Sequence, residues 1–432
     1  MPPPAPRADH LCHLTAGGGT PLPLTSAFTG ENLGVAPTCT AADILATVHR
    51  ARQHCRLWAS TPGPARRKAL GRLLALVRAD RQALLPLAQH SCALSHHDAA
   101  ADFAAAARPH AATRANGWQL FRRQPLADAD AAVLSTRTDD ARPFTSLLET
   151  VLPALCSGSC VITQVTRRTA VVAARLAALA FYAGIPETAW QLVLGADHQI
   201  HALLTEHTDT HQPGCCPLRP GGARPTAPAL MAIRHDARLP AALRAALQTC
   251  FAGAGRVCTS TPVVAVHTGH YQRFVEEFAH AAARLPVLPP LQEHSTLSAL
   301  ADASQAAGLR AYLRAAPAAG TNILYDAGPR PALAPALHGP VVLTHPHTWT
   351  LDPAAIPPGP LAVLVPFRSW SQVLDLARSS GRHVSIHTTT AASQLLPQFA
   401  SLAADDVAIN APLHRRPRPT AARTPHWTPS LP

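Results

Sequence analysis

The stretch Gly253-Ala254-Gly255-Arg256-Val257-Cys258-Thr259-Ser260-Thr261 sets one thiol between a run of small residues and a strand-like apolar run at 262–267. Small residues permit a tight turn, and a cysteine held at a turn is a candidate nucleophile. A free thiol is only a few per cent thiolate at neutral pH, so it acts only when a cation, a helix N-terminus or a base helps it. Without such help Cys258 is a structural thiol, and both readings stand at this point. A second group of ligand-type residues, His201, His207, His211, Cys215 and Cys216, falls in a short span. Its spacing matches no zinc pattern. Among 24 histidines such groups arise by chance, so no metal is expected. His96-His97-Asp98 reads as a helix start, and Glu276-Glu277 as a solvated helix face.

Elements that would position these residues can be read from periodicity. Thr40 followed by Asp43 resembles an N-cap with an acidic first turn. Ile44, Val48, Cys55 and Trp58 then keep helical spacing, as do Leu70, Leu73, Leu74 and Val77 in a second helix over 65–80. A third, alanine-rich helix covers 98–107. Phe28-Thr29-Gly30-Glu31-Asn32-Leu33-Gly34 reads as a turn between short strands. From Cys160 the pattern changes to strand (Cys160-Val161-Ile162-Thr163), helix (169–183) and strand (Trp190 to Gly195), a βαβ unit that implies a parallel sheet. The alternation recurs after Cys258, with strands at 262–267, 341–344, 361–367, 383–388 and 407–410. Helices are expected at 271–285 and near 369–378 and 392–403.

The 432 residues, 47% hydrophobic, suffice for two domains with their own cores. The reading is a loose Pro/Gly-rich arm at 1–25, an α/β domain at 26–225, a second at 226–411, and a Pro/Arg-rich tail at 412–432. The formal charge is +12, but the cations are scattered arginines plus the single lysine Lys68, with no basic run carrying interleaved aromatics. No nucleic-acid partner is expected. No apolar run is long enough to span a bilayer, since 171–183 is broken by Arg175, and the N-terminus lacks the apolar core of a signal peptide. Ten cysteines in a chain of this length are not a disulfide scaffold, so a cytoplasmic location is expected.

Several segments in fixed order resemble the aldehyde dehydrogenase superfamily. They are Ala27 to Gly34, 49–73, 152–195, 253–278 and 357–367, then Asp406-Val407-Ala408-Ile409-Asn410. The flavour is closest to bacterial succinate-semialdehyde dehydrogenases. The resemblance implies an α/β fold of two parallel-sheet domains, a Rossmann-like cofactor domain and a catalytic domain. It also implies oxidation of a small aldehyde with NAD or NADP, through a thiohemiacetal on Cys258. Residues 118–137 resemble the family's inter-subunit hairpin. Its C-terminal partner strand is missing, so the oligomerisation strands are incomplete and a weakened dimer is expected.

Position by position, the resemblance also implies losses. The general-base glutamate falls at Arg219, which cannot accept a proton. The oxyanion asparagine falls at Ala141, which offers no side-chain donor. The cofactor lysine falls at Gln164, the glutamate after it at Arg167, and a ribose-binding glutamate at Ile356. Gly195 and Gly221 match cofactor-side glycines by position only. Between Thr210 and Leu218 a strand, a Gly-Ser turn and a phosphate-facing helix N-terminus are replaced by a few residues. Arg219 beside Cys258 would favour its thiolate. Glu149 and Glu206 are the nearest candidate acids to replace the base. Three readings remain open: a divergent NAD(P)-dependent semialdehyde dehydrogenase, a pseudoenzyme that binds a partner or a small molecule without turnover, and a decaying gene product.

Overall fold

The computed structural model describes residues 10–108, 132–195, 197–212, 229–257, 260–379, 383–391, 394–395 and 406–410. The chain divides into two compact units, Met1–Gly222 with Pro417–Ala422, and Ala223–Arg416 with Arg423–Pro432.

The first unit opens with a hairpin, β1 (Leu22–Thr25) against β2 (Asn32–Ala36), joined by the expected turn. Residues 10–25 are not the loose arm that their proline and glycine content suggests. Leu14 and Leu24 are buried in the core, and Thr15 N donates to Leu192 O. Apolar side chains at the right spacing outweigh the breaker-rich composition around them. Helix Ala41–Ser60 begins with a complete capping box between Thr40 and Asp43, and buries Ile44, Val48, Ala51, Cys55 and Trp58 on one face. Helix Gly63–Ala79 buries Leu70, Leu73, Leu74 and Val77. Helix His96–Ala106 is capped by Ser95, whose side chain accepts from Asp98 N, which places His96 and His97 in a first turn.

A parallel sheet of order β5-β4-β3-β6 forms the centre of this unit, from β3 (Val133–Arg137), β4 (Cys160–Val165), β5 (Trp190–Leu194) and β6 (Thr210–Gln212). Every residue of β4 and β5 is buried, as expected of parallel strands covered on both faces. Helices Pro143–Ser157, Ala170–Tyr182 and Asp197–His207 supply the crossovers. Two expectations are corrected here. Val133–Arg137 is not part of an inter-subunit hairpin but a buried strand lying between β4 and β6; residues 118–131 lie outside the described set. Thr210–Gln212 keeps the strand that looked deleted, since it pairs in parallel with β3; residues 213–228 lie outside the described set.

The second unit is a seven-stranded sheet of order β13-β12-β7-β8-β11-β10-β9. Its strands are β7 (Leu230–Ile233), β8 (Val263–His267), β9 (Asn322–Asp326), β10 (Val341–Thr344), β11 (Leu361–Phe367), β12 (His383–His387) and β13 (Asp406–Ile409). All neighbours are parallel except β9 against β10. Helices Leu239–Phe251, Thr268–Ala283, Ala303–Ala315 and Trp370–Ser379 surround it. Glu277 forms an i,i+4 ion pair with Arg273 on the outer side of Thr268–Ala283. The helix expected near 392–403 falls mostly outside the described residues, as does the tail at 412–432. No helix among the described residues is long and apolar enough to cross a membrane.

Candidate functional site

Strand order locates the crevice of the first unit. The chain runs β3, β4, β5 in one direction and then returns to place β6 on the other side of β3. In an open parallel sheet, connections diverge at such a reversal and leave a crevice at the strands' carboxyl ends. Three residues singled out from sequence sit at this edge. Gln164 is the penultimate residue of β4, Gly195 follows β5, and Ala141 lies in the turn after β3.

Their surroundings are closed by the protein itself. Gln164 has no exposed surface, and its backbone carbonyl accepts from Thr138 N at 3.0 Å. Ala141 is buried, and its N–H donates to Asp139 Oδ1 at 2.9 Å, so neither its methyl nor its amide is offered to a ligand. Thr138 and Thr169 share a hydroxyl hydrogen bond of 2.6 Å, and Thr166 Oγ1 donates to Asp140 Oδ1 at 2.5 Å. Arg168 Nε lies 3.7 Å from Asp140 Oδ2. Arg167 donates to Pro23 O at 3.1 Å and to Thr25 Oγ1 at 3.4 Å, tying the β4 end to the hairpin. At Gly195 an added Cβ would come within 3.0 Å of Cys39 O and 2.7 Å of Ile200 Cδ1. That glycine is explained by the close approach of the Cys39 segment, whose N–H donates to Leu194 O.

The two candidate replacement acids differ. Glu206 is exposed on helix Asp197–His207. Glu149 is half-buried on Pro143–Ser157, and its carboxyl is pushed up by burial, with Arg142 lowering it and Asp102 raising it again. Asp102, missed in the sequence, is fully buried and accepts from Phe144 N at 2.8 Å and Thr145 N at 3.3 Å. It therefore caps helix Pro143–Ser157 from a distance, with Arg142 Nε at 3.8 Å. A caps-like Asp three or four residues upstream would have been legible; one supplied by a separate helix leaves no local signal.

In the second unit, Cys258 lies outside the described residues, but both flanks are placed. Gly253, Ala254 and Gly255 have φ values of +56°, +56° and +66°. Arg256 is buried and its Nε donates to Gly253 O at 3.1 Å. On the far side, Ser260 N donates to Val257 O at 2.9 Å, and Ser260 Oγ donates to Thr249 O at 2.9 Å. Thr249 and Thr261 share a hydroxyl hydrogen bond of 2.5 Å. The segment is thus clamped to helix Leu239–Phe251 before β8 begins. Arg219 and Gly221 also lie outside the described residues. Ile356 is buried in the core of the second unit.

Of the histidine and cysteine group, His201 and His211 come together, with ring centroids 4.7 Å apart. His211 Nδ1 is 2.8 Å from Ser135 Oγ, and its pKa falls to about 4, first through burial and then through His201. Among the described residues no three His, Cys, Asp or Glu side chains are grouped to hold a metal. Cys215 and Cys216 lie outside that set.

A parallel sheet with a reversal crevice, followed in the chain by a second, mostly parallel sheet, defines a two-unit α/β protein. The Aldehyde dehydrogenase family description matches residues 14–122, 142–212 and 227–420, and the chain belongs to that family. A protein of Mycobacterium tuberculosis named "Putative succinate-semialdehyde dehydrogenase (NADP(+)) 2" is 23% identical over 349 residues, covering 74% of this chain. The chain spans only 66% of that relative's length. The 3-sulfolactaldehyde dehydrogenase of Pseudomonas putida is 25% identical over 405 residues, covering 85% of this chain and 80% of its own. In fold, the NAD-dependent benzaldehyde dehydrogenase of Corynebacterium glutamicum superposes with a TM-score of 0.77 at 19% identity, covering 92% of each chain.

Proposed function

We propose that this chain is an aldehyde dehydrogenase that has kept its scaffold and the Cys258 thiol, and whose NAD(P)-dependent oxidation of a semialdehyde is lost or severely impaired. The observation that carries this reading is the closed carboxyl edge of β3 and β4. Where a dinucleotide would lie, Asp140, Thr138, Thr166, Thr169, Arg167 and Arg168 spend their hydrogen bonds on one another and on the hairpin. Gln164 presents a neutral amide where the resemblance places a lysine. The residues present therefore do not fit NAD or NADP as the resemblance implies it is held, and no catalytic step is derived through it. Ala141 adds a second loss, since one missing oxyanion donor costs on the order of 10²–10³ in rate. Arg219 adds a third, at roughly 10²–10⁴ for a general base. Catalytic groups act as a unit, so these factors do not simply multiply.

Aldehyde capture without hydride transfer remains within reach of a lone thiol, and succinate semialdehyde, the substrate in the Mycobacterium tuberculosis relative's name, is the first aldehyde to try. The described cysteines are all free thiols, which suits a reducing, cytoplasmic setting.

The test is a thermal melt of the full chain with NAD and with NADP. A ligand at a hundred times its Kd stabilises by roughly 2.7 kcal/mol, which moves a melt by about 5–10 °C for units of this size. A cooperative melt that neither nucleotide moves, together with no NAD(P)H formed from succinate semialdehyde, is the expected result. A clear shift plus turnover that Cys258→Ala abolishes would overturn the reading.

A further inference from the structure

The first unit has a solvent-open cavity of about 260 Å³ at the other end of its sheet. Trp190, the first residue of β5, lines it, whereas Gly195 follows the last. The cavity therefore lies at the amino end of β5, away from the crevice at the carboxyl ends. Its walls divide by chemistry. Leu14, Ala180 and Ile185 supply carbon surface. Trp190 adds more, because its indole N–H is already donated to Thr163 Oγ1 at 3.0 Å. Several of the polar lining groups already have partners. Glu187, the one carboxylate in the lining, has its Oε1 3.1 Å from His13 Nδ1, and Gln191 Nε2 faces the carbonyls of Thr47 and Thr188 at 3.5 and 3.4 Å.

Arg50 is the exception. Its guanidinium donates to Thr47 Oγ1 at 3.2 Å and has no ion pair among the described residues. A guanidinium carries five N–H donors in a planar fork suited to a carboxylate, so most of its capacity is unused. One cation with free donors beside an apolar floor selects an anion with a short hydrocarbon tail. An engineered apolar cavity of about 150 Å³ takes benzene, six heavy atoms, so this space takes a ligand of that size or somewhat larger.

We propose that this cavity is a binding site for a short-chain aliphatic monocarboxylate, with the carboxylate on Arg50 and the alkyl chain against Leu14, Ala180, Ile185 and Trp190. The proposal does not depend on whether the Cys258 chemistry is alive.

Cys12 is exposed and lines the same cavity, which supplies a direct readout. The experiment follows iodoacetamide labelling of Cys12 in the full chain by peptide mass spectrometry, with sodium butanoate as the probe. By mass action, butanoate at about ten times its Kd slows labelling about tenfold. Butanol and sodium sulfate at matched concentration and ionic strength are expected to leave the rate unchanged. Arg50→Met, at an exposed position, should label at the unprotected rate with butanoate present. Arg50→Lys, which keeps the charge but loses the fork, should need several-fold more butanoate. Protection by butanol as well, protection retained in Arg50→Met, or no protection by butanoate up to 100 mM would each refute the site. Both variants are checked for the wild-type melt, so that loss of fold is not mistaken for loss of binding.

Discussion

Gly255 sits three residues before Cys258, and the structure gives its replacement a definite cost. Its φ is +66°, in the left-handed region. A Cβ there would lie 1.9 Å from Gly359 O and 2.7 Å from Gly359 C, both backbone atoms that cannot rotate away. Gly359 O also accepts from Leu361 N at 2.8 Å, at the start of β11, so retreat of that carbonyl breaks a hydrogen bond. For Gly255→Ala the left-handed backbone costs about 1–2 kcal/mol, the steric displacement about 1–3 kcal/mol, and the hydrogen bond about 1 kcal/mol. The total of about 3–6 kcal/mol is a large share of the usual stability of a domain. Urea unfolding should show it as a lower midpoint with little change in slope. Ala254, next to it, has φ of +56° without being glycine. Ala254→Gly should therefore come out near neutral, because relief of about 1–2 kcal/mol of left-handed backbone is offset by about 0.5–1 kcal/mol of extra unfolded-chain freedom and about 0.8 kcal/mol for the buried methyl it removes. Iodoacetamide labelling of the buried Cys250 gives a second readout. In Gly255→Ala it should reach the unfolded-peptide rate at urea concentrations where wild type is still protected. A Gly255→Ala variant within about 1 kcal/mol of wild type would falsify the close approach of the 253–257 turn to Gly359.

Other positions give equally concrete expectations. Asp236 accepts from the hydroxyls of Thr388, Thr389 and Thr390 and from Thr389 and Thr390 N–H, tying the turn after β7 to the segment after β12. Partial burial pushes its carboxyl up, but donations from Thr388, Thr390 and Thr389 outweigh it and hold the pKa well below the usual carboxylate range. Because the folded pKa is depressed, its contribution is full above the unfolded value of about 4 and is lost as pH falls below it. Asp236→Asn should cost on the order of 2–4 kcal/mol at pH 7 and flatten the acid limb of stability against pH; an unchanged acid limb would count against the clasp. Arg66 is buried and donates to the carbonyls of Cys156, Ala59 and Thr61 at 3.1, 2.7 and 2.6 Å. Arg66→Ala should cost about 3 kcal/mol or more, read by urea unfolding. Gly158 ends helix Pro143–Ser157 at φ +99°, and its Cβ would stand 3.2 Å from Ala59 Cα. Gly158→Ala should cost about 1–3 kcal/mol, and a neutral effect would count against the close approach of Gly158 to Ala59.

The fold was legible wherever one stretch of chain carries its own signal. The capping box at Thr40, the apolar stripes of the first two helices, and the βαβ grammar from Cys160 to Leu194 are local patterns, and the structure places elements there. Elements whose cores are made by distant partners were harder. Helix Pro143–Ser157 is buried on nearly all sides and so lacks a clean amphipathic stripe, and its cap comes from Asp102 on another helix. β3 has only five residues, Val-Leu-Ser-Thr-Arg, with polar side chains that are nevertheless buried because β4 and β6 flank it. Residues 10–25 misled in the opposite sense, since proline and glycine there mark turns within a packed segment rather than a free arm.

The site poses a different problem, because sequence names what is missing but not what has taken its place. Arginine at 167, read alone, only stands where the resemblance implies a glutamate. In the fold its guanidinium reaches Pro23 O and Thr25 Oγ1, so the substitution joins the end of β4 to a hairpin that the sequence treats as remote. Asp140 and the threonines at 138, 166 and 169 likewise look unremarkable one by one, yet they close on each other across the carboxyl ends of two adjacent strands. A ligand entering that edge must break these hydrogen bonds before making its own, and each net hydrogen bond is worth about 1 kcal/mol. Reversal by a single substitution is therefore not expected: Gln164→Lys would bury a cation at a position with no exposed surface and should lower stability without producing an NAD or NADP shift in the melt. A nucleotide-induced shift in Gln164→Lys but not in wild type would show instead that the edge is open and that the lost lysine alone kept the cofactor out.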